Sequence, residues 1–303
     1  MATGKEIKSR IKSVKNTGKI TKAMELISTV KMKKAQTSVL SARPFAVEAS
    51  KILSLVADNF ETPSSSDAVN SGVILLVLVS SNKGLCGAYN INVFKEALAV
   101  VRANPEKKFA FVTIGKRARE FVLRTGNTLV ADYSDTFKDN PSIAESRRIL
   151  RNLKSLFESK EYESVKVIYG HYISAIRQQS VVKTLFPISR EDIMEFLAAI
   201  GVKPAKVSGT SEEVASENLH EIEPDIATIV SETVPFIQTI IFHETLLEAK
   251  ASEHASRMVA MKNAKDSASK KAGLLTLSYN KTRQATITKE VSEIVSGVES
   301  MKE

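Results

Sequence analysis

Apolar residues recur at spacings of three and four over two long stretches at opposite ends of this chain. Between Thr3 and Leu55 the only helix breakers are Gly4, Gly18 and Pro44. Ile7, Ile11 and Val14 open a narrow seam, and Ile20, Met24 and Ile27 read as its resumption after Gly18. Between Phe236 and Ala272 there is neither Gly nor Pro, and the pattern resumes past Gly273 to Val298. Here the seam runs Val230, Val234, Ile237, Ile241, then Leu247, Ala251, Ala255, Met258. It continues through Ala268, Ala272, Leu275 and Tyr279, and ends with Ile287, Val291, Ile294 and Val298. Pro44 is expected to bend the first helix, and Pro235 to lie in the first turns of the second. At 1.5 Å per residue the pattern predicts rods of roughly 80 Å and roughly 100 Å. So long a stripe needs a partner along its length, and the economical one is the other terminal helix, running antiparallel.

The middle has a different rhythm. Val73–Val79, Phe109–Ile114, Thr128–Ala131, Val165–Tyr169 and Val181–Phe186 are short β-branched or apolar runs that predict strands. Helical patterns lie between them at Asn92–Ala103, Lys116–Arg124 and Ser142–Ser159. This alternation predicts a mostly parallel sheet covered by helices. Residues 61–72 are rich in Ser, Asp, Asn and Pro and read as a linker. Arg190–Ile200 reads as a further short helix, opened by Ser189 and Asp192 in capping-box-like spacing and stopped at Gly201. Val202–Pro224 is polar and acidic and is expected to be a mobile loop. The expected organisation is a coiled-coil helix over 1–60, a Rossmann-like α/β domain over 72–222, and a second coiled-coil helix over 226–301.

Charge adds polarity to this picture. Residues 1–43 hold eleven Lys/Arg against Glu6 and Glu25, a net of +9, while the remainder of the chain is balanced. Residues 211–253 hold ten acidic side chains against Lys250 alone. A basic helix points to nucleic acid, to an acidic protein surface, or to nothing beyond a solvated face. No aromatic residue interleaves residues 1–43, so a stacking platform for bases is missing and nucleic acid is not expected. The longest apolar run, Val73–Val79, suits a buried strand and is far too short to span a bilayer. Neither a secretory signal nor a transit peptide is read at the N-terminus.

Chemistry is sparse. Ser80-Ser81-Asn82-Lys83-Gly84-Leu85-Cys86-Gly87 follows a strand as a phosphate loop would, yet it matches neither the P-loop nor the dinucleotide fingerprint. Gly115-Lys116-Arg117 lacks the upstream glycine and the hydroxyl. His171, His220, His243 and His254 show no metal-ligand spacing, and a single cysteine, Cys86, permits no internal disulfide. No nucleophile, base and oxyanion donors assemble, so no catalytic residue, cofactor or metal is assigned.

Four motifs carry a resemblance that covers the chain in order. They are Lys19-Ile20-Thr21-Lys22-Ala23-Met24-Glu25, Lys83-Gly84-Leu85-Cys86-Gly87-Ala88-Tyr89-Asn90, Ser256-Arg257-Met258-Val259-Ala260-Met261, and Ile287-Thr288-Lys289-Glu290-Val291-Ser292-Glu293-Ile294-Val295-Ser296-Gly297. Together they resemble the γ subunits of F-type ATP synthases, with Val298 standing where that family usually has Ala, and with a longer stretch from Ile193 to Asn218. The resemblance implies a central rotor stalk: a coiled coil of the two terminal helices inside an α3β3 ring, and an α/β lobe on the membrane c-ring beside ε. It implies that catalysis belongs to β, and that Met24, Arg257, Arg283, Gln284, Thr288 and Glu290 contact the β subunits. Lys19, Lys22 and the Lys31, Lys33, Lys34 group would face acidic β surfaces, or solvent. His220, Ile222 and Glu223 would meet the c-ring and ε. The implied location is peripheral, on the cytoplasmic side of a bacterial inner membrane, without direct insertion. A coiled-coil adaptor that does not turn is the competing reading, and a Rossmann-type enzyme is a third that lacks its glycine fingerprint.

Overall fold

The computed structural model describes residues 4–55, 71–159, 161–188 and 225–301. Two terminal helices dominate it, α1 (Gly4–Leu55) and α5 (Ile226–Ser300). Between them lie β1 (Val73–Val79), α2 (Tyr89–Ala103), β2 (Lys108–Ile114), α3 (Lys116–Arg124) and β3 (Thr128–Asp132). These are followed by α4 (Ile143–Glu158), β4 (Ser164–Tyr172) and β5 (Gln178–Phe186). Residues 61–70 of the linker read over 61–72, the short helix at Arg190–Ile200 and the loop to Pro224 lie outside the described residues.

Packing divides the chain into two compact units, one of Val30–Ser256 and one of Met1–Thr29 with Arg257–Glu303. The first holds a five-stranded sheet in the order β3-β2-β1-β4-β5. β1 pairs parallel with β2 and β4, β2 pairs parallel with β3, and only β5 runs antiparallel to its neighbour. The mostly parallel sheet follows from the helical crossovers, and the central position of β1 explains its unbroken apolar sequence, since both faces are covered. Leu75, Val77 and Val79 pack with Ile149, Leu150 and Leu153 of α4 and with Phe242, Leu246 and Ala249 of α5. Ile74, Leu76 and Leu78 point the other way, onto Val93 and Ala97 of α2 and Ala118 and Val122 of α3. Phe94 and Phe121 stack across that second layer with centroids 4.4 Å apart. The terminal helix α5 is thus also a layer of the lobe.

Local chemistry sets the helix starts. Ser142 caps α4 by accepting from Glu145 N at 3.2 Å, and the Glu145 carboxylate accepts from Ser142 N at 2.8 Å, a capping box. Asp225 caps α5 through Oδ1, which accepts from Thr228 N at 2.8 Å. Because α5 begins at Ile226, Pro235 lies well past the first turns where it was expected. Its missing N–H leaves the Ser231 carbonyl without a helical donor, which is tolerable because Ser231 faces solvent. α1 likewise runs on through Pro44.

In the other unit α1 and α5 pair antiparallel. Lys265 Nζ donates to Glu25 Oε2 at 2.8 Å, a Cβ at Gly18 would lie 3.6 Å from Ala268 Cβ, and one at Gly4 would lie 3.8 Å from the Tyr279 ring. The seam differs from expectation after Gly18. Ile20 and Ile27 are 61% and 55% exposed, whereas Thr21 and Ser28 are buried. The seam keeps its original heptad, Ile7-Ile11-Val14-Gly18-Thr21-Glu25-Ser28, and the expected shift to Ile20 and Ile27 does not occur. Small residues on both helices fit this choice, because a Cβ at Gly18 would already be in van der Waals contact with Ala268. A second correction concerns Ile287, Val291, Ile294 and Val298, which are exposed and pair with nothing among the described residues. α1 starts opposite Tyr279, so α5 outruns its partner.

Candidate partner-binding surface

From Arg283 to Val298 every side chain of α5 is exposed. Ile287, Val291, Ile294 and Val298 keep heptad spacing there, with Val295 and Met301 beside them. A single amphipathic helix leaves its apolar face in water, and burying each such side chain is worth about 1.5–3 kcal/mol. Among the described residues nothing covers this face. The polar face carries Arg283, Gln284, Lys289, Glu290 and Glu293, where Thr288 Oγ1 donates to the Gln284 carbonyl at 3.0 Å and Lys289 lies 3.6 Å from Glu293.

The six residues expected to meet β subunits do not form one cluster. Arg283, Gln284, Thr288 and Glu290 share one exposed stretch of about 10 Å along α5. Met24 is half-buried beside Glu25, whose partner Lys265 lies about 27 Å further back along α5. Arg257 lies about 39 Å from Arg283 along the same helix, and it is buried and engaged within the chain. His220, Ile222 and Glu223 lie outside the described residues.

Charge on the paired segment is one-sided. Residues 4–29 and 257–283 carry fourteen Lys/Arg against Glu6, Glu25 and Asp266. Lys15, Lys19 and Lys22 border a groove of about 660 Å³ whose floor is Gly18, Ala268, Ala272 and Gly273. Lys31, in the other unit, is bonded to Asp139 at 2.5 Å, so it is not available in the way Lys19 and Lys22 are. Sequence reasoning missed the outward apolar residues Ile20, Leu26 and Ile27 on α1 and Leu274 and Leu277 on α5. Continuing the heptad strictly from Ile7 would have found the first three, since it places them off the seam.

The lobe's loop after β1 is spent on its own architecture. The Ser81 N–H and Oγ both donate to Asn90 Oδ1 at 3.1 Å, and Asn90 Nδ2 donates to Cys86 Sγ at 3.2 Å. Asn82 Oδ1 accepts from Lys116 N, and its amide donates to the Phe137 carbonyl. In doubly wound sheets the crevice beside the strand where the order reverses is the usual ligand site. Here the chain fills it: Tyr89 is buried against Gly170, where a Cβ would come within 2.5 Å of its ring, and Ser256 Oγ donates to the Cys86 carbonyl at 2.7 Å.

The histidines of this unit join lobe to helix. His171 Nδ1 lies 2.8 Å from Glu248 Oε2, and this hydrogen bond raises its pKa against the opposing effect of burial. His243 Nδ1 lies 2.9 Å from Ser146 Oγ, and burial lowers its pKa. Burial, then the charge of Glu248, push the Tyr169 hydroxyl far above the usual phenol range. Among the described residues no group of His, Cys, Asp and Glu is placed to hold a metal ion, and no helix is long and apolar enough to cross a membrane.

Comparison with known proteins matches this architecture over its length. A family model described as ATP synthase matches residues 3–301. The ATP synthase gamma chain of Synechocystis sp. is 36% identical, covering 98% of this chain and 99% of that one. That of Geotalea uraniireducens is 34% identical with both chains fully covered. Among solved structures, a chain of the Euglena gracilis mitochondrial ATP synthase rotor superposes with a TM-score of 0.60 at 20% identity, covering 94% of this chain and all of that one. A chain of the Tetrahymena thermophila central stalk and c-ring gives 0.55 at 22%, over 81% of this chain and 99% of that one. At such identities the superpositions speak for the fold, whereas the curated relatives decide the family: this chain belongs to the ATP synthase gamma chains.

Proposed function

We propose that the chain is the central rotor stalk of an F-type ATP synthase, carrying rotation of a membrane c-ring into an α3β3 ring whose β subunits hold the active sites. The observation that carries this reading is the stretch of α5 past Thr282, an apolar stripe with no partner among the described residues. A ring of subunits closed around it would bury that stripe without a fixed, directional bond. Two unlike helices present different side chains in different directions. A rotor can bias catalytic subunits only through such differences in contact energy, because equal contact with all states shifts nothing.

In this reading Arg283, Gln284, Thr288 and Glu290 meet β loops around the exposed stretch, and Met24 does so lower on the pair. Arg257, being buried, acts through its neighbours on α5. The lysines around the Gly18 groove face acidic surfaces of the ring. His220, Ile222 and Glu223 face the c-ring and ε, and the protein is peripheral on the inner side of the membrane that holds the c-ring. Arg283→Ala and Gln284→Ala are expected to lower ion-driven ATP synthesis in membrane vesicles while the isolated chain unfolds as before. Full synthesis in both variants, or failure of the chain to co-purify with an α3β3 ring, would refute the assignment.

A further inference from the structure

Lys250 on α5 is 1% exposed, an unusual position for an ammonium group. Its Nζ lies 3.0 Å from Glu253 Oε2, 4.0 Å from Asp139 Oδ1 and 4.2 Å from the centroid of the Phe137 ring. Asp139, in the connection between β3 and α4, has two oxygens with different duties. Oδ2 accepts from Lys31 of α1 at 2.5 Å, whereas Oδ1 faces Lys250 and, at 3.8 Å, His254 Nε2 of α5. The next residue repeats the link, with Ser38 Oγ of α1 donating to Asn140 Oδ1 at 3.1 Å. Burial raises the Asp139 pKa, but the Lys31 hydrogen bond and the charges of Lys250, Lys31 and His254 outweigh it and hold the carboxyl below its ordinary range.

One loop carboxylate therefore engages both α1, through Lys31, and α5, through Lys250. Buried ion pairs are poor devices for stability, since well-packed apolar residues of similar volume often do as well or better. They are good devices for register, because an apolar contact tolerates sliding and a buried ammonium does not tolerate losing its carboxylates. The apolar layer of Phe242, Leu246 and Ala249 holds α5 on the sheet and makes no such demand.

We propose that Lys250, Asp139 and Lys31, with Glu253 and His254, form a positioning clamp that fixes the β3–α4 connection against α1 and α5, so that torque passes from that connection into both helices without slip. This rests on the rotor reading. The test uses the assembled synthase in inverted membrane vesicles, with Lys250→Met, Asp139→Asn and the Lys250→Met/Asp139→Asn/Glu253→Gln triple variant. Three quantities are read: chain retained in the purified complex, ATP hydrolysis rate, and ions pumped per ATP hydrolysed. Retained assembly and hydrolysis with pumping per ATP lowered about threefold or more, restored by Lys250→Arg, is the expected result. Wild-type pumping per ATP in the triple variant overturns the clamp, as does a proportionate fall of all three quantities, which marks a merely structural role. A wild-type chain that supports no coupled pumping overturns the rotor reading itself.

Discussion

Gly115 shows how a single residue is dictated by its neighbours. It opens α3 at φ +112°, and a Cβ there would sit 2.2 Å from the Ser80 carbonyl oxygen. Ser80 cannot yield, because its Oγ accepts from Ala118 N at 2.7 Å and its N–H donates to the Ile114 carbonyl. Gly115→Ala is expected to cost about 1–3 kcal/mol, measured by urea unfolding of the full chain. The histidines make predictions of opposite sign. His171 has a folded pKa raised above the unfolded value of about 6.5 by its bond to Glu248. Its contribution is fully present below that value and is lost as pH rises through the folded pKa. His243 has a lowered folded pKa, so its neutral form is favoured, and stability is lost as pH falls below about 6.5. The stability difference between wild type and His171→Asn should be larger at pH 5.5 than at pH 8.5, by about 0.5–1 kcal/mol because the pair is partly exposed. An equal difference at both pH values would show that the Glu248 bond does not hold the proton.

At the scale of elements, what was legible depended on how much the apolar pattern had to decide. β1 and α3 lie where the sequence places them, since an unbroken apolar run and a Gly-bounded amphipathic turn each admit one reading. β4 and β5 extend beyond their apolar cores to Tyr172 and from Gln178, because backbone pairing, not side-chain type, carries a hairpin past the core. The α1 seam was misread where its members are Gly18, Thr21, Glu25 and Ser28, since periodicity counts methyl groups and a close helix approach uses their absence. Gly18 tests this account. Alanine there meets Ala268 at an ordinary 3.6 Å and gains helix propensity, so Gly18→Ala should stabilise by about 0.5–1 kcal/mol. Gly18→Leu places a branched side chain against Ala268 and should cost about 1–3 kcal/mol, whereas Ile20→Ser should stay within about 0.5 kcal/mol. Thermal unfolding followed by circular dichroism ranks the three. Destabilisation by Ile20→Ser equal to that of Gly18→Leu would restore the shifted seam.

For the molecule as a whole, sequence pattern led to two long paired helices of unequal length and a mostly parallel sheet, yet it did not reveal where along α5 the pairing stops. Periodicity gives each helix a stripe and is silent about where the partner ends. Only the pairing of Gly4 with Tyr279 leaves Ile287, Val291, Ile294 and Val298 bare. The Lys250 network was equally illegible, because Lys31, Asp139 and Lys250 are far apart in the chain and carry no motif. The bare stripe yields a prediction that separates folding from assembly. Val291 and Ile294 are exposed and have no partner among the described residues, so Val291→Ser/Ile294→Ser should leave the unfolding free energy of the isolated chain unchanged within about 0.5 kcal/mol. The same stripe is an exposed apolar patch, so the isolated wild type should self-associate more than the variant in sedimentation velocity. On the proposed function the complex buries the two side chains, and their loss should then weaken retention of the chain by about 3–6 kcal/mol if both are fully covered. A variant that unfolds more easily alone would mean the stripe serves the fold. One that unfolds normally yet leaves the complex means the stripe was built for a surface the chain itself does not contain.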